Sequence, residues 1–160
     1  MDIPATIAAR YFCFASVRHP WDRAVSLWAY CLAHGGPDLT FAEFIHDWQF
    51  TAGWFYGKSQ TDFLGEVRLD ALVRVETLRS DVMTLPPIQA AIREGAKLRP
   101  LPRMNATRHP PWQQVVTPEL RQVLADRWPD DLALWEAAGN TPCPSRSTRT
   151  ASTGASRVSW

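Results

Sequence analysis

The chain has 160 residues, which fits one domain with a hydrophobic core of ordinary size. Its composition, 46% hydrophobic and 21% charged with eight tryptophans, is typical of a globular protein and argues against disorder over most of the length. The formal net charge is only +1, so the overall charge does not call for nucleic acid or an anionic membrane as a partner. Any binding site for an anion must therefore be local.

The cysteines and the apolar segments bear on where the protein resides. Cys13, Cys31 and Cys143 form an odd set without metal-ligand spacing, so we interpret them as free thiols in a reducing compartment and expect no metal site. The apolar run at residues 11–17 is much too short to span a bilayer, and no signal peptide is visible. We therefore expect a cytoplasmic protein that has no membrane segment and does not bind nucleic acid.

The start of the chain predicts a buried strand that leads directly into a helix. Residues 11–17 are almost wholly apolar, which is typical of a parallel strand buried on both faces. Pro20 suits the first turn of a helix, and from Trp21 onward the apolar residues fall on one helical face. Arg18 stands at the junction, where open parallel sheets bind their ligands beside helix N-termini. Together with the hydroxyl of Ser26, Arg18 therefore indicates a phosphate site.

The segment RHPWDRAVSLWAY, residues 18–30, resembles the 3′-phosphate-binding motif of the PAPS-dependent carbohydrate sulfotransferases, sulfotransferase family 2. That motif has an arginine, a variable residue, proline, an aromatic, an acidic residue, arginine and, a few residues on, serine. The resemblance implies that Arg18 and Ser26 hold the 3′-phosphate of PAPS (3′-phosphoadenylyl sulfate). It also implies transfer of a sulfuryl group from PAPS to a hydroxyl acceptor, a carbohydrate as in the family, with PAP as the other product. The alternative to a phosphate site is a purely structural role, in which Arg18 only pairs with a neighbouring carboxylate.

Two later segments resemble the same family more weakly. Residues 59–65, SQTDFLG, resemble its polar segment after the acceptor-side loop; alternatively they form a short strand in which Gln60 hydrogen-bonds backbone. Residues 72–85 resemble its strand–glutamate–helix signature, with residues 72–75 as a second parallel strand. Glu76 then lies at a helix N-terminus, where the dipole favours a carboxylate, and we interpret this residue as structural.

A basic segment at residues 98–112 is irregular in its pattern and resembles a late segment of the family. In related sulfotransferases a late basic loop closes over the 3′-phosphate of the nucleotide. The resemblance therefore implies that Arg103, Asn105 and Arg108 are further cofactor-binding residues. The alternative is a solvated loop whose arginines bind nothing specific.

Caps and apolar periodicity predict further helices. Thr40 and Glu43 form a capping box that opens a short helix. Thr117 caps the last clear helix, and a further helical turn at residues 132–138 ends at Gly139. The pair of C-terminal helices also resembles the close of the sulfotransferase domain.

These patterns predict an α/β fold, a partial P-loop-type three-layer arrangement in which helices flank a short parallel sheet. We expect a sulfotransferase-like domain at residues 1–139 and a disordered Ser/Thr/Arg/Pro-rich tail at residues 140–160. In the family, a glycine-rich loop with a basic residue binds the 5′-phosphosulfate ahead of the segment seen here. The sequence contains no such loop, so we expect an N-terminally truncated domain that does not turn over PAPS on its own.

The catalytic base is unknown from the sequence, because no spacing distinguishes His34 or His46 from surface histidines. An aromatic loop at residues 50–56 either packs on the core or stacks on a sugar or adenine ring. Two rival functions remain. One is a catalytically inactive, nucleotide-binding remnant of the family; the other is a P-loop kinase-like protein, which the lack of a Gly-x-x-x-x-Gly-Lys-Ser/Thr motif disfavours.

Overall fold

A computed structural model describes residues 10–47, 57–65, 68–101 and 107–140. Within these ranges the protein is a mixed α/β structure in which eight helices accompany one two-stranded parallel sheet. The elements in chain order are β1 (Phe14–Val17), α1 (Pro20–Ala33), α2 (Phe41–His46), α3 (Gln60–Leu64), β2 (Ala71–Arg74), α4 (Leu78–Thr84), α5 (Pro86–Arg93), α6 (Trp112–Val115), α7 (Pro118–Arg127) and α8 (Asp131–Asn140). The predicted short parallel sheet with helices around it is thus confirmed.

Several predictions from the sequence concern residues that lie outside the described ranges. These are the aromatic loop at residues 50–56, the cofactor candidates Arg103 and Asn105, and the tail beyond residue 140. None of the helices within the described ranges is both long and apolar enough to cross a membrane.

The two strands pair in parallel over four residues, with Phe14 opposite Ala71 and Val17 opposite Arg74. Beyond the last pair, Val75 N donates to Val17 O at 2.8 Å, which extends the ladder by one bond. Because the carboxyl ends of parallel strands meet at the same edge of a sheet, the residues after β1 and β2 are brought together there.

The first strand is shorter and more exposed than the sequence predicts. It begins at Phe14, whose side chain is 46% exposed, and Val17 is its one fully buried residue. A parallel strand is buried on both faces where helices cover both. In the described part of the chain β2 is the only strand paired with β1, so the prediction of burial on both faces is wrong for most of this strand.

The hydrophobic core forms where α1 packs against α2, α6 and α7. Pro20 starts α1 in its first turn, as predicted, and Ala24 and Val25 are completely buried. A fully buried valine such as Val25 contributes about 1.5–3 kcal/mol, so the apolar face fixes how α1 is oriented. The buried residues of this core are Ala24, Val25, Phe41, Phe44, Ile45, Val116, Leu120, Leu124 and Trp128.

Side-chain caps determine where three of the helices begin. The predicted capping box of Thr40 and Glu43 is present at α2, and Thr117 accepts from Leu120 N at the start of α7. The short strand considered for residues 59–65 is wrong: Ser59 and Asp62 form a second capping box that opens helix α3. The final helix α8 does not end at Gly139, since a glycine inside a helix costs only about 1 kcal/mol.

A buried carboxylate, Asp131, joins α1, α3 and α8. Its side chain is fully buried and accepts hydrogen bonds from Gln60 N at 2.8 Å and Thr61 N at 3.2 Å. Arg23 Nη1 of α1 lies 3.4 Å from the other carboxylate oxygen, and Arg23 Nη2 donates to Lys58 O at 2.6 Å. Burial lowers the pKa of Arg23, although Asp131 counteracts this effect by stabilising the charged form. The α3 segment is therefore fixed to α1 and α8 by one charge network.

We expect Asp131→Ala to lower the free energy of unfolding by about 3–5 kcal/mol, because the substitution leaves Arg23 buried without its carboxylate. It also removes the acceptor of two amides at the start of α3. The matched control is Asp126→Ala, which removes an exposed carboxylate of α7 and changes stability by about 0.5 kcal/mol or less. Urea denaturation of both variants measures the difference, and equal losses would show that the buried network contributes no specific stability.

Candidate functional site

The backbone at the junction of β1 and α1 is held by side chains from distant segments. Arg18 N donates to Gln60 Oε1 at 2.7 Å, and Gln60 Nε2 donates back to Arg18 O at 2.8 Å. The next amide, His19 N, donates to Glu76 Oε1 at 2.8 Å. These three bonds fix the direction in which the Arg18 side chain leaves the chain.

The Arg18 guanidinium is held by two contacts. Its Nε donates to Asp22 Oδ2 at 2.6 Å, and its Nη2 lies 3.1 Å from His109 Nε2. A guanidinium carries five N–H donors in a rigid plane, and these two contacts engage Nε and Nη2. Within the described ranges Nη1 has no hydrogen-bond partner, and the side chain is 28% exposed. The Nη1 side of the guanidinium, its open edge, is therefore available to a ligand.

The first turn of α1 adds polar groups that favour an anion. The side chain of the N-cap residue His19 makes no capping hydrogen bond, and Pro20 has no backbone N–H. The amides of Trp21 and Asp22 have no acceptor within the described part of the chain. Since a helix N-terminus carries a partial positive charge, this turn and Arg18 both attract an anion.

Ser26 lies on the same side of α1 as the Arg18 contact. Residues four apart on a helix are neighbours, and Asp22 is four residues after Arg18 and four before Ser26. Ser26 is half-buried, and its hydroxyl forms no hydrogen bond within the described ranges. Ser26 thus lies one helical turn beyond Asp22, the residue that pairs with Arg18.

Of the late basic segment, the structure describes Arg108 but neither Arg103 nor Asn105. Arg108 is exposed, with no hydrogen bond or ion pair inside the described ranges, while its neighbour His109 contacts Arg18. The sequence pattern favours arginine and asparagine as ligands in this segment. It gives no signal for the histidine, because the contact joins residues 91 positions apart.

Glu76 has the structural role expected of it. One of its oxygens accepts from His19 N, and the other accepts from Trp135 Nε1 at 3.1 Å. The helix after β2 begins at Leu78 with Thr77 as its N-cap residue, so Glu76 precedes the helix rather than forming its first turn. Glu76 therefore ties the β1–α1 junction to α8.

His19, to which the sequence motif gives no role, is the centre of a tryptophan cluster formed by Trp21, Trp112 and Trp135. The imidazole stacks on Trp112 at 4.9 Å between ring centroids and meets Trp21 and Trp135 edge-on at 4.9 Å and 4.7 Å. His19 is only 9% exposed, and its buried Nδ1 has no hydrogen-bond partner. Burial lowers the pKa of His19, chiefly because the cluster excludes the water that would solvate the imidazolium.

Two arginines cover the tryptophan cluster from outside. The Arg121 guanidinium lies 5.4 Å from the ring centroids of both Trp21 and Trp112, and Arg74 lies 4.0 Å from that of Trp135. Such cation–π contacts contribute about 0.5–2 kcal/mol each. The positive charge of Arg74 further disfavours protonation of His19. Burial and Arg74 thus favour the neutral form of His19 and outweigh the opposite effect of Glu76 and Asp22 on its pKa.

The structural alternative for Arg18 is partly realised, because Arg18 does pair with a carboxylate, that of Asp22. The pair is half-exposed and joins residues four apart, and such pairs are worth about 1 kcal/mol or less. It occupies one of the five donors of the guanidinium, so pairing with Asp22 and binding an anion do not exclude each other.

Comparison with known proteins adds no independent assignment. The chain matches no protein-family model, and it has no significant match among curated proteins or among solved structures. The functional argument therefore rests on the motif at residues 18–30 and on the geometry around Arg18.

The lowered pKa of His19 predicts that the protein loses stability in acid. Because the folded state binds a proton at His19 less readily than the unfolded state does, stability is full above the unfolded value of 6.5. It falls as the pH drops below that value toward the lower pKa of the folded state. We expect the free energy of unfolding, measured with urea between about pH 8 and pH 5, to show this loss.

The control for this prediction is the exposed His34, which lies at the far end of α1 and stacks on Tyr30. His34→Gln should retain the loss of stability below pH 6.5, whereas His19→Asn should lose much of that pH dependence even where its stability is lower. An unchanged pH profile in the His19 variant would contradict the assignment.

Proposed function

We propose that the protein binds PAPS through its 3′-phosphate, with Arg18 and Ser26 as the phosphate ligands. The observation that carries the proposal is the open edge of the Arg18 guanidinium, on a backbone held by Gln60 and beside the uncapped first turn of α1. A phosphate dianion can accept from Nη1, from the first-turn amides and from the Ser26 hydroxyl. Charge-assisted hydrogen bonds of this kind are roughly twice as strong as neutral ones.

The motif at residues 18–30 supports the choice of ligand. It resembles the 3′-phosphate motif of the carbohydrate sulfotransferases, and its arginine and serine are the residues whose donors stay available within the described ranges. We extend the proposal to the fold, with β1 and β2 as neighbouring strands of a P-loop-type three-layer arrangement. Arg108 remains a candidate for a second contact, because it is exposed next to His109.

The reaction proposed is sulfuryl transfer from PAPS to a hydroxyl group, with a carbohydrate as the acceptor class. The acceptor hydroxyl attacks the sulfur in line and gives up its proton to a general base, the bond from sulfur to the phosphate oxygen breaks, and PAP leaves. Arg18 and Ser26 act at the end of the nucleotide remote from the sulfur, so they contribute binding and orientation. For the location we propose the cytoplasm, where the free thiol of Cys31 stays reduced.

A second candidate is a protein that binds the nucleotide without transferring sulfate. The sequence favours it in one respect, because it contains no glycine-rich loop with a basic residue for the 5′-phosphosulfate. Incubation with labelled PAPS and a mixture of carbohydrate acceptors separates the two candidates. Label appears in the acceptor in the first case, and the nucleotide binds without turnover in the second.

We expect Arg18→Ala to weaken PAP about ten- to a hundredfold, because a charge-assisted hydrogen bond contributes about 1.5–3 kcal/mol. Ser26→Ala should weaken PAP about two- to tenfold, since a neutral hydroxyl contributes about 0.5–1.5 kcal/mol. Arg18→Lys recovers only part of the loss, because an ammonium cannot reproduce the planar contact of a guanidinium. Calorimetric titration of variants with unchanged melting temperatures measures these differences.

The matched control is Arg79→Ala, which removes an exposed arginine of α4 and leaves PAP affinity unchanged. A second comparison uses adenosine 5′-phosphate in place of PAP, and the loss of the 3′-phosphate should cost the wild type at least as much affinity as Arg18→Ala does, because it removes the contacts to Ser26 and the amides as well. Equal affinity for the two nucleotides would remove the reason for assigning Arg18 and Ser26.

A further inference from the structure

The contacts of His109 define which of its nitrogens carries the proton. Its Nε2 lies 3.1 Å from Arg18 Nη2, and a guanidinium has donors but no acceptor, so Nε2 must accept. Its Nδ1 lies 3.0 Å from Pro110 O, and a carbonyl oxygen only accepts, so Nδ1 carries the hydrogen and donates. Both nitrogens are satisfied in the neutral ring with hydrogen on Nδ1, and in that form alone.

Protonation of His109 is incompatible with the contact that the structure shows. A second hydrogen on Nε2 points at the Arg18 guanidinium, which offers no lone pair, and two positive charges then face each other. The contact must open, which frees Arg18 Nη2 and exposes an Nε2–H donor beside it. A bound anion can then accept both from Arg18 Nη2 and from the Nε2–H of the imidazolium.

The charges around Arg18 indicate that an extra proton on His109 strengthens the binding of an anion. In the free protein Asp22 lies 2.6 Å from Arg18 Nε and offsets its charge. The groups near His109 are Arg18 from the β1–α1 turn, Asp22 of α1 beyond it, and Arg108 next in the chain. In α6, Trp112 stacks on the buried His19 and lies 5.4 Å from the guanidinium of Arg121 of α7. A dianion at Arg18 thus meets Asp22 as the nearest negative charge, and an imidazolium at residue 109 compensates for it.

We propose that His109 belongs to the anion site and takes up a proton when a phosphate or sulfate group binds at Arg18. The ligand identity rests on the proposed function, whereas the proton uptake rests on the Arg18–His109 contact. Binding of such an anion is then tighter at acidic pH, by about tenfold between the fully neutral and the fully protonated state of one histidine. His109 acts as a binding residue whose charge is set by the ligand.

Inorganic sulfate is the first probe, because its charge is constant over the pH range in which histidines titrate. We expect sulfate, compared with chloride at equal ionic strength, to raise the protonated fraction of His109 at a fixed near-neutral pH. The ring signals in NMR spectra report this fraction, and they are assigned by their loss in His109→Gln. Arg18→Ala should abolish the response, and the ring signals of His34 should not respond. No change at His109 at the highest sulfate concentration the protein tolerates would overturn the proposal.

The nucleotide is the second probe, and it separates this proposal from the proposed function. Calorimetry of PAP binding in two buffers with different ionisation enthalpies gives the number of protons taken up. The 3′-phosphate itself titrates near pH 6, so the quantity to compare is the difference between wild type and His109→Gln, in which the contribution of the ligand cancels. We expect the wild type to take up more protons and to lose more affinity than the variant when the pH is raised.

The outcomes of the two probes are distinct. If PAP binds with a preference for its 3′-phosphate but wild type and His109→Gln take up equal numbers of protons, the proton linkage is wrong and the proposed function stands. If sulfate protonates His109 through Arg18 but PAP and adenosine 5′-phosphate bind equally, the proton-linked anion site stands and the nucleotide assignment fails.

Discussion

The position of Arg18 depends on a carboxylate that is nowhere near it in the sequence. Asp131 is completely buried, and its desolvation is offset by Arg23, two backbone amides and the hydroxyl of Thr61. A buried charge is tolerated only when it is paired and hydrogen-bonded, so these donors cannot be exchanged for apolar groups one at a time. Through them Asp131 fixes the start of α3, and the side chain of Gln60 in turn holds the Arg18 backbone from both sides.

The same arrangement explains why a local motif is not sufficient to form the site. The strand, the turn and the helix around Arg18 are encoded within one short segment, but their hydrogen bonds run to α3, to Glu76 after β2 and to the segment before α6. Each of these contacts closes a long loop, and its entropic cost is met by the burial of the core and the tryptophan cluster. The donors on Arg18 are therefore ordered before any ligand arrives, which reduces the entropy that binding must overcome.

Much of the fold follows from local signals, and the differences follow from non-local ones. The helix at Pro20 and the capping box of Thr40 were predicted because propensity and caps act within a few residues. The second capping box, at Ser59, has the same local signal, but the family resemblance of residues 59–65 favoured other interpretations of that segment. The exposure of Phe14 could not be predicted, since burial depends on which elements cover the sheet. Likewise, no spacing in the sequence reveals that His109 reaches Arg18.

The two histidines beside Arg18 are placed in opposite environments, and this difference determines the charge of the site. His19 is enclosed by tryptophans and has arginines beyond them, so burial lowers its pKa and it contributes no charge to its neighbour. If His19 were charged in the folded state, its imidazolium would lie unsolvated among the tryptophans, and the tryptophan cluster would be destabilised. His109, by contrast, is only half-buried, and its ring contacts the polar guanidinium of Arg18 through Nε2. The protein can therefore add positive charge next to Arg18 from the side of His109 without weakening the cluster that supports the β1–α1 junction.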